Sequence, residues 1–332
     1  MSPSLSRPVR FAVVGCGTAA RQIHLPALRE AGADVTVFAS RTRASAESLC
    51  DAWAAGTVVD RWTDAVERDD VDAVLVTTPN ANHCEVAVAA AAAGKHVLVD
   101  KPLACNTLDA DVMIAAAGKH DVLLVPYQNS RFAAPFVAAQ QCVADGRLGA
   151  ITGFRAAYGH GGPQQWAAHA SWFFDAGRAG GGCLMDLGVH IIDVLRAVSG
   201  DEIAAVSALC NGRRGDVETD AQLLARLRGG AIGTIEASWS SPSGLDHQLT
   251  VIGTEATLHL DSRTPLTLLG ADGERERIAP PESTSSPLAE LLAAIAGERA
   301  PSVTAADGRA AVAVVEAAYH SAAHDSVLTE VA

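Results

Sequence analysis

Residues 10–20 read Arg-Phe-Ala-Val-Val-Gly-Cys-Gly-Thr-Ala-Ala, an apolar run followed by a glycine-rich turn and the start of a helical stretch. The turn at 15–20 has the pattern G-x-G-x-x-A. In such a turn the first glycine permits the tight bend, the second lets the backbone approach a pyrophosphate, and the third small residue lets helix and strand pack closely. A lone motif of this kind is weak, but its place at the start of a strand–helix series makes it specific. We therefore predict a dinucleotide-binding turn with contacts from Gly15, Gly17, Thr18 and Ala19.

The first 126 residues alternate between short apolar runs and stretches with helical character. The predicted strands are 10–14, 34–40, 73–77, 96–99 and 122–126, and the predicted helices are 18–31, 42–53, 81–93 and 107–118. The strands are apolar almost throughout, which is typical of parallel strands covered on both faces. Such alternation implies right-handed βαβ units, so we predict an α/β fold whose N-terminal domain, residues 1–126, is a doubly wound parallel sheet of Rossmann type. Residues 62–72 are predicted to be a polar connection.

The pattern changes after residue 126. The predicted elements of this second part are helices at 135–144, 184–199, 287–296 and 305–320, a strand at 150–158, a glycine-rich loop at 159–182 and successive strands through 203–279. Gly229-Gly230 is a hairpin signal between two of those strands. We therefore predict that residues 127–332 form an α/β domain with a large, mostly antiparallel sheet, which binds the substrate and forms the oligomer.

Composition narrows the class of protein. The chain has 332 residues, 49% of them hydrophobic and 19% charged, and its formal net charge is −13. This length predicts two domains, and the hydrophobic content excludes an intrinsically disordered chain. An acidic protein repels phosphate backbones and anionic lipid, so we expect a small-molecule partner rather than nucleic acid or a membrane. Seven scattered cysteines without a C-x-x-C pair, and an N-terminal apolar run of only four residues, predict a cytoplasmic protein without a signal peptide.

The end of the second predicted strand bears on the choice of nucleotide. A carboxylate about 20 residues after the glycine turn normally binds the ribose 2′-hydroxyl of NAD. Residues 39–43 read Ala-Ser-Arg-Thr-Arg and contain no carboxylate. Ser40 and Thr42 can donate hydrogen bonds, and Arg41 can stack on adenine or bind a 2′-phosphate, so we predict NADP(H) with NAD(H) as the alternative. The other interpretation is that Arg41 and Arg43 only form a solvated helix start.

A lysine lies at a strand end in the first predicted domain. Asp100-Lys101-Pro102 follows the strand 96–99 at the carboxyl edge of the sheet, where open α/β sheets bind ligands. Pro102 keeps Lys101 out of the helical region of backbone conformation. Surface lysines are common, so it is the position that makes Lys101 a candidate for cofactor binding and catalysis.

A second cluster lies in the predicted helix 184–199, directly after three glycines. Asp186 and His190 are four residues apart, so on a helix their Cβ atoms lie about 5–6 Å from each other. An acid and an imidazole on a buried helix are unfavourable unless they are paired or used in chemistry. A satisfied core pair is one alternative. A metal site with His160 and His169 of the preceding loop is another, but its ligand set is incomplete and we predict no metal.

These motifs together resemble the Gfo/Idh/MocA family of oxidoreductases, which includes the inositol dehydrogenases and glucose–fructose oxidoreductase. The resemblance covers nearly the whole chain and rests on residues 15–20, 24–27, 77–80, 83, 93–97, 100–103 and 180–193. It implies that Lys101, Asp186 and His190 are the catalytic set. It further implies a nucleotide site lined by Thr77, Thr78, Pro79, Asn80 and His83, and a substrate site near Asn129 and Arg131.

Two positions depart from the family pattern. Asp100 stands where the family usually has a glutamate before the lysine, so a shorter acid supports Lys101. Phe173 follows Trp172 where members often carry an arginine, so any contact that such an arginine makes with substrate or nicotinamide is lost. Trp172 itself is predicted to cap a face of the sugar.

The resemblance implies an NAD(P)-dependent dehydrogenase or reductase that moves a hydride between nicotinamide and a ring hydroxyl or ketone of a sugar or cyclitol. In this reading His190 accepts the hydroxyl proton, Lys101 stabilises the developing alkoxide, and Asp186 orients the sugar or the imidazole. A redox-neutral glycosidase that uses bound NAD is one alternative, and a non-catalytic nucleotide-binding sensor is another. We also expect a homodimer or homotetramer, because a bare apolar sheet face is unfavourable.

Overall fold

The computed structural model describes residues 7–167, 171–241, 245–261 and 264–332. The chain divides into two compact units. The first unit comprises Met1–Gln128 together with Ser286–Arg309, and the second comprises Asn129–Ser285 together with Ala310–Ala332. The sequence patterns predict one boundary after residue 126 and two continuous domains. In the structure the division falls two residues later, and a late segment of the chain returns to the first unit.

The described residues form strands, α-helices and shorter helical turns. The strands are β1 (Arg10–Val14), β2 (Asp34–Ala39), β3 (Thr57–Val59), β4 (Ala73–Val76), β5 (His96–Val99), β6 (Leu124–Pro126), β7 (Ile151–Gly159), β8 (Ile203–Asn211), β9 (Asp220–Leu227), β10 (Ile232–Ser238), β11 (Leu245–Gly253), β12 (Ala256–Asp261), β13 (Thr264–Gly270), β14 (Arg275–Arg277) and β15 (Thr329–Glu330). The α-helices are α1 (Leu25–Glu30), α2 (Arg43–Trp53), α3 (Trp62–Val66), α4 (His83–Ala92), α5 (Thr107–Lys119), α6 (Ala134–Ala144), α7 (Ala176–Ala179), α8 (Val189–Ser199), α9 (Pro287–Ile295) and α10 (Ala305–Ala323). The shorter turns are π-helical at Ala20–His24 and Leu184–Gly188 and 3₁₀-helical at Asn80–Asn82, Ser130–Phe132, Pro163–Gln165 and Ser171–Phe174.

The sheet of the first unit is parallel, with strand order β3-β2-β1-β4-β5-β6. The predicted doubly wound sheet is therefore confirmed. The central strands form because they are continuous apolar runs: all four residues of β4 are buried. The strand β3 and the helix α3 were not predicted, and the expectation that residues 62–72 form only a polar connection is wrong. Both elements are too short, at three and five residues, for a periodic pattern to show.

The sheet of the second unit has the order β14-β13-β12-β11-β7-β10-β9-β8-β15. All its neighbours pair antiparallel except β7 and β10, which are parallel. The mostly antiparallel sheet and the hairpin at Gly229-Gly230 are confirmed, and Gly230 has the positive φ of +97° that such a turn requires. Residues from β7, β11 and α8 share one apolar core, in which Phe154, Val251 and Ile191 are fully buried.

Two helices predicted as continuous begin in another conformation. The predicted helices at 18–31 and 184–199 each open with a five-residue π-helical turn and only then continue as α1 and α8. Such π-helical turns are rare and occur frequently at functional sites. No helix in the described part of the chain is both long enough and apolar enough to cross a bilayer.

Candidate active site

The glycine turn after β1 has the geometry that a dinucleotide phosphate needs. Gly15 has φ +98°, and a Cβ there would lie 2.5 Å from the carbonyl carbon of Thr77, so no other residue fits. Gly17 is exposed, and a Cβ there would meet nothing within 4 Å among the described atoms. Ala20 is fully buried, as the third small residue of the motif requires. The turn therefore leaves its backbone open to a ligand at the second glycine.

The segment after β2 carries two arginines in different situations. Arg43 donates to Glu47 at 2.8 Å and to Asp60 at 2.5 Å, so its charge is matched by two carboxylates. Arg41 is exposed beside the half-buried Ser40, and within the described ranges it makes no hydrogen bond or ion pair. Of the two, Arg41 is the one whose charge is available to an anionic group.

The loop after β4 is tied to the glycine turn. The backbone N–H of Thr77 donates to Val14 O at 2.8 Å, and its hydroxyl donates to Gly15 O at 2.5 Å. The hydroxyl of Thr78 is buried and has no hydrogen-bond partner among the described residues, while Asn80 is buried at the start of the next turn. A buried hydroxyl without a protein partner and an open glycine fit a bound dinucleotide, because a polar ligand atom would satisfy the hydroxyl.

His83 lies beneath this loop and has no exposed surface. Its Nδ1 is 2.9 Å from Pro102 O and its Nε2 is 3.1 Å from Thr78 O. Burial lowers the pKa of this imidazole, although the charge of Asp100 acts in the opposite direction. His83 thus bridges the loop after β4 and the loop after β5, and it reaches the nucleotide-binding surface only through these two backbone segments.

Lys101 follows β5, and its backbone N–H donates to the carboxylate of Asp100 at 2.8 Å. The other oxygen of Asp100 is 3.4 Å from Nε2 of His24, and the ring of His24 contacts the edge of Tyr127 with centroids 4.4 Å apart. Burial alone would raise the pKa of Asp100, but the contact with His24 and the charge of Lys101 hold it below its ordinary value. Burial of the Tyr127 hydroxyl raises its pKa to about 12. Asp100 is therefore an ionised support directly behind Lys101.

In the second unit, Asp186 lies in the π-helical turn Leu184–Gly188 and is 5% exposed. Its carboxylate accepts a hydrogen bond of 3.0 Å from the indole N–H of Trp239. The residues just before this turn are held by Glu218, whose carboxylate accepts from Gly182 N at 2.9 Å, Leu184 N at 3.0 Å and the hydroxyl of Tyr319 at 2.9 Å. A Cβ on Gly182 would lie 1.9 Å from the backbone oxygen of Glu218, so a glycine is required there.

His190 lies one turn further along, in α8. Its Nδ1 is 3.0 Å from the hydroxyl of Ser130, and the same hydroxyl is 3.3 Å from Nε2 of His247 on β11. Tyr158 stacks on His247 with ring centroids 3.7 Å apart. Of the two roles predicted for Asp186, orienting the sugar or orienting the imidazole, neither is decided by this contact: at Nδ1 the imidazole of His190 has Ser130 as its partner.

The remaining predicted substrate residues differ in their surroundings. Arg131 is buried and donates to Asp193 of α8 at 2.8 Å, a contact that anchors the 3₁₀ turn Ser130–Phe132. Asn129, just before that turn, is exposed, and Trp172 stacks on Phe173 at 4.0 Å. The contacts of Arg131 explain its place in the fold, and its role toward substrate stays a prediction, as do those of Asn129 and Trp172.

Sequence reasoning missed Ser130, Tyr158 and His247. These residues are separated by up to 117 positions in the chain, and no motif links them. Trp239, which belongs to none of the sequence motifs, binds Asp186 through its indole N–H inside the same unit. Among the described residues no cluster of three or more His, Cys, Asp or Glu can hold a metal ion, and His169, considered as a ligand, lies outside the described residues.

The first unit thus has the parallel sheet and glycine turn of a dinucleotide-binding domain. The second unit presents an acid and an imidazole on a helix packed against a mixed sheet. Together these are the features of a two-domain nicotinamide-dependent oxidoreductase. The chain belongs to the Gfo/Idh/MocA oxidoreductases. Residues 9–128 match the family model described as the oxidoreductase family with an NAD-binding Rossmann fold, and residues 136–259 match the GFO/IDH/MocA C-terminal domain.

Named relatives agree with this assignment. The chain is 32% identical over 328 residues to a 1,5-anhydro-D-fructose reductase of Ensifer adhaerens, covering 93% of this chain and 96% of that enzyme. It is also 32% identical over 219 residues to a myo-inositol 2-dehydrogenase of Thermotoga maritima, a match that covers 64% of this chain and 63% of that enzyme. The crystal structure of GenD2 from gentamicin A biosynthesis, in complex with NAD, has a TM-score of 0.84 at 30% identity and covers 99% of this chain and 98% of that one.

Proposed function

We propose that this oxidoreductase transfers a hydride between a nicotinamide nucleotide and a ring hydroxyl or ketone of a sugar or cyclitol. The observation that carries the proposal is the imidazole of His190, held at Nδ1 by Ser130 and placed one helical turn after the buried carboxylate of Asp186. In this proposal Nε2 is the nitrogen that exchanges a proton with a hydroxyl group. The substrate class is supported by the relatives, which are named as a reductase of an anhydro-sugar and a dehydrogenase of an inositol.

The nucleotide is proposed to bind at the turn 15–20 and the loop 77–80. When bound, it would accept or donate the hydride. Gly17, Thr18 and Ala19 present backbone to its phosphates, and the buried hydroxyl of Thr78 is available to it. Ser40 and the exposed Arg41, which has no ion-pair partner among the described residues, favour NADP(H), because a 2′-phosphate meets a cation there and no carboxylate.

The residues of the chain divide the remaining work. In oxidation His190 takes the proton of the substrate hydroxyl, and in reduction it returns that proton to the alkoxide. Lys101, supported by the ionised Asp100, stabilises the negative charge that develops on the substrate oxygen. Asp186, with one oxygen engaged by Trp239, accepts a hydrogen bond from a neighbouring hydroxyl of the substrate.

A homodimer or homotetramer is proposed through the outer face of the sheet of the second unit. On that face Leu209, Leu224 and Ile232 are 69%, 52% and 55% exposed on the adjacent strands β8, β9 and β10. Contiguous exposed apolar side chains mark association surfaces. The seven free cysteines support a reducing, cytoplasmic location.

The test is nicotinamide absorbance across a panel of inositols, pyranoses, anhydro-sugars and their keto forms, with NADP and NAD in parallel. Turnover with one member of the panel, lost in His190→Gln, supports the proposal. Nucleotide binding with no absorbance change, accompanied by release of an aglycone from a glycoside, would replace it with the redox-neutral glycosidase. Nucleotide binding without either reaction would replace it with the sensor.

A further inference from the structure

The hydroxyl of Ser130 lies between two imidazoles of the second unit. It is 3.0 Å from Nδ1 of His190 and 3.3 Å from Nε2 of His247, both within hydrogen-bond distance. A serine hydroxyl has one proton to donate and lone pairs to accept, so it can donate to one ring while it accepts from the other. The two rings are therefore coupled: the nitrogen that carries the proton in one ring determines the nitrogen that carries it in the other.

We propose that Ser130 and His247 form a proton relay behind His190. The proposal deepens the proposed function, because it assigns the route by which the proton of the substrate hydroxyl leaves the site. In the resting arrangement Nδ1–H of His190 donates to Oγ of Ser130, and the hydroxyl of Ser130 donates to the unprotonated Nε2 of His247. This arrangement leaves Nε2 of His190 unprotonated, which is the form that a general base requires.

The relay balances in both directions. In oxidation the O–H bond of the substrate breaks and an N–H bond forms at Nε2 of His190. The Nδ1 proton of His190 passes to Oγ of Ser130, and the serine proton passes to Nε2 of His247, so that His190 and Ser130 end neutral and His247 carries the added proton. In reduction the same proton moves from His247 through Ser130 and His190 to the substrate alkoxide.

The surroundings hold the three groups in place. Ser130 lies in the turn Ser130–Phe132, and the buried ion pair of Arg131 with Asp193 fastens this turn to the helix that carries His190. The ring of His247 lies between Tyr158, stacked at 3.7 Å, and Phe136, which contacts it edge-on at 5.6 Å. His247 is only half-buried, so a proton that reaches it can exchange with solvent. Ser130 and His247 are thus positioned as relay residues rather than as groups that contact the substrate.

The decisive measurement is the tautomer of His190 in the nucleotide-free protein, read from the ¹⁵N shifts and long-range ¹H–¹⁵N couplings of its ring. The resonance is assigned by its loss in His190→Gln. The wild-type ring is expected as the Nδ1–H form. In Ser130→Ala and in His247→Gln the population of that form is expected to fall, whereas Ser130→Thr, which keeps the hydroxyl, retains it. This measurement needs no substrate, so its result does not depend on whether the proposed function is correct.

Kinetics with the substrate found in the panel give the second readout. Ser130→Ala and His247→Gln are expected to lower kcat by about tenfold or more, within the range of general acid–base catalysis, and to leave KM almost unchanged. They should also lower the solvent deuterium effect, because fewer protons move. The matched control is His259→Gln: His259 of β12 lies in the same sheet and contacts the hydroxyl of Thr250 at 3.1 Å, but it belongs to no relay.

An unchanged His190 tautomer in folded Ser130→Ala and His247→Gln would overturn the relay, as would wild-type kcat in both variants when His190→Gln is inactive. Thermal unfolding of each variant confirms that it is folded, and Ser130→Thr separates loss of the hydroxyl from loss of packing. If the wild type turns over no substrate, the proposed function fails, and the tautomer measurement alone then decides whether the three groups are coupled.

Discussion

A histidine follows a glycine-rich turn in each unit, and the two histidines have partners of different kinds. His24 ends the first π-helical turn and lies 3.4 Å from the carboxylate of Asp100. His190 lies two residues after the second π-helical turn and contacts the hydroxyl of Ser130 at 3.0 Å. An ionised carboxylate only accepts, so it has no proton to pass on, whereas a hydroxyl accepts and donates and can pass a proton on. Under the proposed function, His24 is a fixed support in the first unit and His190 is the proton-transfer group of the second.

The largest expected effect is that of His190→Gln. The variant should lower kcat by about 10²–10⁴, because it removes a general acid–base group. Nucleotide affinity, measured by fluorescence titration, should stay at the wild-type value, since His190 belongs to the second unit. His24→Gln is the comparison variant, and we expect its main effect in thermal stability, because that ring is buried. A parallel loss of nucleotide affinity in His190→Gln would contradict the contrast between the two histidines.

The next effect is expected at the first glycine turn. Gly15→Ala forces a positive φ on alanine and brings its Cβ within 2.5 Å of backbone atoms, so the free energy of unfolding should fall by about 1–3 kcal/mol or more. Gly17→Ala meets nothing within 4 Å and should leave stability unchanged while it weakens nucleotide binding. Denaturant unfolding and nucleotide titration of both variants separate the two roles. Equal destabilisation by both substitutions would show that the turn is purely structural.

The support provided by Asp100 should depend on pH. Asp100→Asn is expected to lower the free energy of unfolding at pH 7 by about 2 kcal/mol, the loss of a charge-assisted contact. The pKa of Asp100 is lower in the folded protein than its ordinary value, so its contribution is fully present above the unfolded pKa of about 4 and is lost as the pH falls through the folded pKa. Urea unfolding from pH 7 to pH 3 should show the two proteins converge in acid. A difference that stays constant over this range would mean that the ionised form of Asp100 is not what stabilises the unit.

The smallest expected effect concerns the nucleotide. Arg41→Ala should raise KM for NADP by about tenfold, the value of one charge-assisted hydrogen bond, and leave KM for NAD unchanged. Arg43→Ala is the matched control, since that guanidinium is already bound to Glu47 and Asp60. Initial-rate kinetics with both nucleotides provide the measurement. An equal effect of Arg41→Ala on NAD and NADP would remove the argument for a 2′-phosphate site.

The sequence predicted most of the first unit because local pattern determines it. The bounds of β1 and β5 agree with the predicted 10–14 and 96–99, since each is an uninterrupted apolar run between polar residues. The hairpin at Gly229-Gly230 was likewise predictable from its turn residues. The edge strand β3 was not predictable, because three residues are too few to show an alternation of apolar and polar side chains.

Contacts between distant residues could not be predicted. The return of residues 286–309 to the first unit depends on packing that no local pattern records. Asp186 and His190 were found through their helical spacing, whereas Ser130 and His247 reach His190 only because the chain folds them together from a turn and a strand far apart. Spacing therefore locates groups on one element, and only the tertiary structure shows what supports them.

The carboxylate of Glu218, which binds Gly182 N, Leu184 N and the Tyr319 hydroxyl, has a consequence for protein engineering. Glu218 lies just before β9 and Tyr319 lies in α10, so the turn that carries Asp186 is anchored from the downstream side. None of the three donors named here lies in the segment that ends at Ala179. That upstream segment is therefore the one to exchange with a relative when a new substrate range is sought. A graft that ends before Gly181 keeps this anchor. A side chain at Gly181 would meet the Tyr319 hydroxyl, and one at Gly182 would meet the backbone oxygen of Glu218, so a graft that replaces either glycine disturbs the anchor.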